Sequence, residues 1–300
     1  MKKILVIGST VVDVIIELMD RLPKTGEDVH VRRQQMSLGG CAFNVSDSIR
    51  HFQVPYILFS PVGTGIYGYF VREELKKRGI SSPIPSPNLD NGCCYCFVES
   101  TGERTFSSYH GAEYLFRREW FDLIKTEEID SVYICGLEIE EVTGDVIVDF
   151  LEKNPQLKIF FAPGPRLTVI DSLLLDRIYR LSPILHLNES EALEVTRAQQ
   201  ITQAARSLYD RTHNTVIITL GDKGCYYYDG DKDDIVPPVK TRQVDTIGAG
   251  DSHIGSVIAC LKRGQSLSAA IASANKVAAA VVGNSSAILP DEEFAKLDLI

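Results

Sequence analysis

Short apolar runs rich in β-branched residues recur along the chain, and most are followed by a stretch with apolar positions three and four apart. The runs at 4–7, 56–59, 132–135, 158–161, 184–187 and 216–220 predict strands, and the intervening pattern predicts helices around 42–52, 67–78, 141–153, 171–179, 189–196 and 202–210. Two more helices, about 249–263 and 267–282, close the chain. Uninterrupted apolar strands are buried on both faces, so the alternation implies an α/β fold: a mostly parallel central sheet between two helical layers.

Two segments break this pattern. Residues 11–37 and 92–110 alternate polar and apolar positions, and Ser100-Thr101-Gly102-Glu103 reads as a hairpin turn between strands. Neither extends a parallel sheet simply, so the two are expected together as a small β lid inserted in one domain spanning 1–300. Tyr226, Tyr227 and Tyr228 mark a further strand, and the charged DGDKDD after them reads as a solvated hairpin tip.

Composition narrows the function. An apolar content of 44% and a charged content of 24% are ordinary for a globular protein. The formal charge of -9, with no basic run beyond Lys76-Lys77-Arg78, argues against a nucleic-acid partner. No apolar segment approaches the ~20 residues of a membrane span. Seven scattered cysteines point to reduced thiols in a cytoplasmic protein, and Cys93-Cys94-Tyr95-Cys96 reads as strand packing for want of further ligands at metal spacing.

Gly63-Thr64-Gly65-Ile66-Tyr67-Gly68 matches G-x-G-x-x-G between a strand and a helix, the context of a dinucleotide site. The second parallel strand that such a site requires would fall on Ser81-Ser82-Pro83-Ile84-Pro85-Ser86-Pro87, which cannot be a central strand. The stretch VDTIGAGDS, Val244 to Ser252, is more telling. Small residues at Gly248, Ala249 and Gly250 let backbone N–H groups converge at the start of a helix, where the dipole also favours an anion. Asp251 beside such a site would be repelled by the anion it holds unless it works, and accepting the proton of a hydroxyl that attacks a phosphoryl group is such work. A plainer role, stabilising the helix N-terminus, would explain Asp251 but not the glycines.

DTIGAGD resembles the C-terminal signature of the ribokinase-like, or PfkB, family of carbohydrate kinases. Leu38-Gly39-Gly40-Cys41-Ala42-Phe43-Asn44 is similar to the family's N-terminal G-G-x-x-x-N signature, and Ile7-Gly8-Ser9 through Asp13 to its opening strand. Gly102-Glu103-Arg104-Thr105-Phe106, Asn188-Glu189-Ser190-Glu191 and Thr219-Leu220-Gly221-Asp222-Lys223-Gly224 follow in the family's order. The resemblance implies a three-layer core with a β lid, and an ATP- and Mg²⁺-dependent kinase acting on a hydroxyl, a primary alcohol by expectation, of a small sugar or sugar derivative. Asp251 would be the general base and Gly248, Ala249 and Gly250 the anion hole. Asp13, Gly39, Gly40, Asn44 and Arg166 would meet the sugar, and Asn188, Thr219, Gly221, Gly224 and Asn275 the nucleotide. Glu191 would act on magnesium through water, and Asp245 matches one contributor to the K⁺ site of some members. Pairing of two lids would give a homodimer.

Some residues depart from the family. Cys41 stands where ribokinases show lysine, Ala162 where an aspartate is common, and Glu113 where an asparagine or aspartate follows the lid, which points to an altered sugar pocket. Gly283-Asn284-Ser285-Ser286 is not the usual closing loop of the K⁺ site. A nucleoside kinase, with Phe43, Phe106 and Tyr109 forming a slot for a base, and a sugar-sensing homologue without turnover are the competing readings.

Overall fold

A computed structural model describes residues 1–284 and 286–300; Ser285, within the loop just mentioned, lies outside the described residues. Along the chain, β1 (Lys3–Ile7), β2 (Val11–Leu18), β3 (Val31–Gly39), α1 (Cys41–His51), β4 (Tyr56–Phe59), α2 (Gly65–Lys77), β5 (Cys93–Val98) and β6 (Arg104–Tyr109) come first. Next are β7 (Ile129–Cys135), α3 (Gly136–Glu140), α4 (Gly144–Lys153), β8 (Lys158–Ala162), α5 (Ser172–Arg180), β9 (Ile184–Asn188), α6 (Glu189–Thr196) and α7 (Ile201–Thr212). The last are β10 (Val216–Thr219), β11 (Cys225–Tyr228), β12 (Asp233–Val236), α8 (Ala249–Lys262), α9 (Leu267–Val282) and α10 (Asp291–Ala295).

The main sheet has eight strands in the order β12-β11-β10-β9-β8-β7-β1-β4. β4, β1, β7, β8, β9 and β10 pair in parallel, whereas β11 and β12 are added as antiparallel strands at one edge. Successive side chains enter two different cores. Ile4, Val6, Tyr133, Phe160, Ile184 and Ile217 pack with α1, α2, α8 and α9. Leu5, Ile7, Val132, Ile159, Leu185 and Val216 pack with α4, α5, α6 and α7. Burial of both faces is why these strands read as unbroken apolar runs.

β1 pairs with β4 on one side and β7 on the other, so chain direction across the sheet reverses between β1 and β7. Ligand crevices in open α/β sheets form at the strand C-termini of such a switch point. β2, β3, β5 and β6 form a separate sheet, order β3-β2-β5-β6, whose central pair β2–β5 is parallel and joins the two segments distant in sequence. The hairpin tip expected at 229–234 lies between β11 and β12, but β12 begins inside it at Asp233. No helix among the described residues is long and apolar enough to cross a membrane.

Candidate active site

Two cavities meet at the start of α8. One, of about 580 Å³, is lined by Thr219, Gly221, Gly224, Pro238, Ala249, Gly250 and Asn275 among others. The second, of about 450 Å³, is lined by Asp13, Gly40, Asn44, Arg166, Gly248 and Asp251, with Phe106 and Ser108 of the smaller sheet. Gly250 and Thr219 belong to both walls, and a side chain at Gly250 would meet nothing within 4 Å. The first helical turn therefore faces open space on two sides.

Close packing positions this turn. At Gly255 of α8 a β-carbon would overlap Ser48 and Val45, so only glycine lets α1 and α8 cross at this distance. Asn44 and Ser48 on α1, and Asp251 and Gly255 on α8, are each four apart and share a face. The result is a hydrogen bond of 2.9 Å from Asn44 Nδ2 to Asp251 Oδ2. Gly248 caps α8 at φ 76°, and the Asp245 side chain accepts from the Ile247 amide at 3.0 Å to shape the loop before it. The Ala249 amide is not wholly free, because it makes a long 3.3 Å bond to the Thr246 carbonyl.

Burial raises the Asp251 carboxyl to about 6, with the charges of Glu138 and Asp13 adding to the shift and the Asn44 bond opposing it. Asp13 is likewise pushed up to about 6, by burial first and then by Asp245. A β-carbon at Gly39 would overlap the Asp13 carboxylate, so Gly39 serves as the floor on which that side chain rests. Glu138, missed by sequence reasoning, is buried behind the cavity and raised by burial while accepting from the Ser9 amide at 2.7 Å.

Glu113 and Phe43 depart from the expected sugar pocket and base slot, and other expected site residues have protein partners. Glu113 does not enter the sugar cavity: it is fully buried and accepts from the amides of Gly92, at 2.7 Å, and Gly111, at 3.1 Å. Phe43 cannot flank a base, because it is wholly inside the core. Asp245 already faces a cation, the Arg104 guanidinium at 2.7 Å. Arg166 is held by Glu140 at 2.6 Å, although it still lines the cavity. Asn188 and Glu191 form a capping box on α6, each side chain taking the other's amide, which leaves Glu191 Oε1 toward solvent or ligand.

Asn275 reaches the larger cavity with its polar atoms in use. Its Nδ2 donates to the carbonyls of Val236 and Pro237, which fixes Oδ1 as the acceptor for His253 Nε2 at 3.1 Å. His253 Nδ1 must then accept, and His186 Nε2 donates to it at 2.9 Å. Burial lowers His253 to about 4 and His186 well below its ordinary value, so both rings are neutral. His186, unmarked by any motif, lines the smaller cavity. A histidine inside the apolar run ILHLN was the signal available for it.

The Arg104–Asp245 pair ties β6 of the smaller sheet to the loop before α8, with side chains 25% and 5% exposed. Arg104→Ala leaves a buried carboxylate without its partner. Unfolding free energy by denaturant titration is expected to fall by about 1–3 kcal/mol, below the full cost of breaking a buried pair because the arginine is partly solvated. Arg104→Lys should recover part of this loss, and equal stability of the alanine and native proteins would show that the pair holds nothing.

A parallel α/β core, a second sheet beside a cavity at the switch point, and a glycine-bounded helix start next to a carboxylate define a phosphotransferase with an alcohol acceptor. The chain belongs to the pfkB family carbohydrate kinases, whose profile it matches over residues 1–293. It is 32% identical over 288 residues to an uncharacterized sugar kinase of Escherichia coli K12, covering 94% of this chain and 89% of that one. It is 29% identical to a mouse ribokinase over 267 residues, covering 85% and 80%. Among solved structures, ribokinase from Thermotoga maritima superposes with a TM-score of 0.85 at 22% identity, over 99% of each chain. A Burkholderia thailandensis nucleoside kinase in complex with inosine superposes at 0.80 and 18% identity, over 98% and 96%.

Proposed function

We propose that the chain transfers the γ-phosphoryl group of ATP to a hydroxyl, a primary alcohol, of a small uncharged sugar or sugar derivative, working as one domain with the smaller sheet as its lid. The observation that carries this reading is the shared wall: Gly250 borders both cavities, with Asp251 on the acceptor side. ATP fits the larger cavity, with the Thr219–Gly224 loop and Asn275 at its walls and its phosphates toward the start of α8. The acceptor fits the smaller one, between Asp13, Gly40 and Asn44.

Asp251 takes the proton of the attacking hydroxyl as the new O–P bond forms and the bond to the ADP oxygen breaks. Amides of the Gly248–Gly250 turn meet the charge on the transferring oxygens. Asn44 holds the Asp251 carboxylate in line. Magnesium neutralises phosphate charge when bound, and the free oxygen of Glu191 suits a contact through water. At Asp245, the candidate K⁺ contributor, a monovalent cation would have to share the carboxylate with Arg104.

The charge of the cavity supports an uncharged acceptor. Asp13 and Asp251 line it, while Arg166 is already paired, so a sugar acid or sugar phosphate would meet net repulsion. ADP release from Mg-ATP should therefore respond to a neutral pentose, hexose or polyol, and on the order of a hundredfold less to the matching sugar acid. A preference for nucleosides would move the reading to the nucleoside kinases, for which Phe106 still offers an aromatic face. Stabilisation by a sugar without ADP formation would mark a sensor. Val31, Met36, Phe106 and Tyr109 are exposed on the smaller sheet, which supports its pairing with a second copy.

A further inference from the structure

We propose that Cys41, Cys135 and Glu138 form a binding site for a thiophilic divalent cation of the zinc class at the base of the acceptor cavity. The three come from different elements, the first residue of α1, the last of β7 and the middle of α3, and converge at the switch point between β1 and β7. All are buried, and their donor atoms lie within 4.8 Å of one another. Cys41 Sγ stands 3.5 and 3.7 Å from the two Glu138 oxygens. A tetrahedral zinc with ordinary bond lengths puts sulfur and oxygen ligands roughly 3.5 Å apart. Cys41 Sγ and the Glu138 carboxylate already stand at that separation, with the Cys135 thiol within 4.8 Å of both.

The surroundings suit an ion. The Ser9 amide holds Glu138 Oε1 at 2.7 Å, orienting the carboxylate and leaving Oε2 to ligate. Cys41 and Cys135 line the acceptor cavity, which gives an entry path and a fourth position for water. Tyr133, two residues before Cys135 on the same strand face, has a buried hydroxyl with no hydrogen-bond partner among the described residues, and it lines the same cavity. Asp13 and Asp251 add negative charge nearby, and the Arg166 guanidinium is engaged by Glu140. Two thiolates and one carboxylate select zinc-like ions over magnesium. Occupancy would close the acceptor cavity from below, a consequence that rests on the reading of that cavity above; the binding itself does not.

The test uses the full reduced chain, freed of metal and titrated with Co²⁺. One equivalent should produce a thiolate-to-cobalt charge-transfer band that zinc displaces. Cys41→Ser and Cys135→Ser should each lose the band, Glu138→Gln should weaken cobalt binding tenfold or more, and Cys94→Ser in the smaller sheet should keep the band. Circular dichroism checks that each variant folds. Independently of any variant, zinc should protect Cys41 and Cys135 of the native chain from alkylation, read by peptide mass spectrometry, and magnesium should not. No band in the native protein, a band retained in both Cys41→Ser and Cys135→Ser, or equal alkylation with and without zinc would overturn the site and leave a thiol–carboxyl packing cluster.

Discussion

Asp251→Asn is expected to lose on the order of a thousandfold or more in kcat while leaving ATP affinity nearly unchanged, and to be more stable than the native protein near neutral pH. The second half follows from burial. Burial pushes this carboxyl up to about 6 in the folded protein, against 3.8 for an unperturbed aspartate. Its favourable contribution to folding is fully present below the unfolded value and is lost as pH rises through about 6. At neutral pH the native protein thus carries a charged carboxylate that folding disfavours. Asparagine removes that charge, and its side-chain oxygen can still accept from Asn44. The gain should be about 1–2 kcal/mol near neutral pH, discounted for the water that reaches the cavity, and should vanish below pH ~4. The activity of the native protein should show an acid limb near pH 6 in kcat/KM. Denaturant titrations across this range, beside ADP-release assays, check both halves; an asparagine variant that turns over normally would remove Asp251 from the chemistry.

Gly248→Ala is the second large effect. The residue sits at φ 76° and ψ −5°, where a side chain costs roughly 1–2 kcal/mol, and its β-carbon would overlap the Ala287 carbonyl. Backbone must move to admit it, and the amides that follow move too. Loss of one aligned donor at a developing charge costs on the order of 100- to 1000-fold in kcat, and a loss in that range is expected. Gly264→Ala is the control, since it also has positive φ, 85°, but open space around its β-carbon. It should lose stability without losing turnover. Equal activity in the two variants would show that the α8 turn is not an anion hole.

The core was legible because buried parallel strands announce themselves as apolar runs, and the helices at 189–196 and 267–282 fall where periodicity places them. The stretch from 112 to 128 was silent: it winds in 3₁₀ segments of three to six residues, too short for any periodicity, yet buries Trp120 and Phe121. At the site, Asp251 could be singled out because Gly248 and Gly250 beside it mark close backbone approach, whereas Asp13 and Asn44 stood out only through the family resemblance. Tyr133 and Glu138 carry no such marker, since a buried strand tyrosine or a helical glutamate looks the same in sequence whether or not a cavity lies next to it. Glu113 misled for the opposite reason. Its motif position is on the lid exit, but the amides of Gly92 and Gly111 turn its carboxylate inward.

The run from His186 through His253 to Asn275 joins one cavity wall to the other with every hydrogen bond pointing the same way. Such a row has a single sense, set at its far end by two peptide carbonyls that cannot be changed by substitution. Its three members therefore act as one polarised wire: replacing any one by an apolar side chain strands a buried donor or acceptor on its neighbour, so a change in one wall of the site is felt in the other.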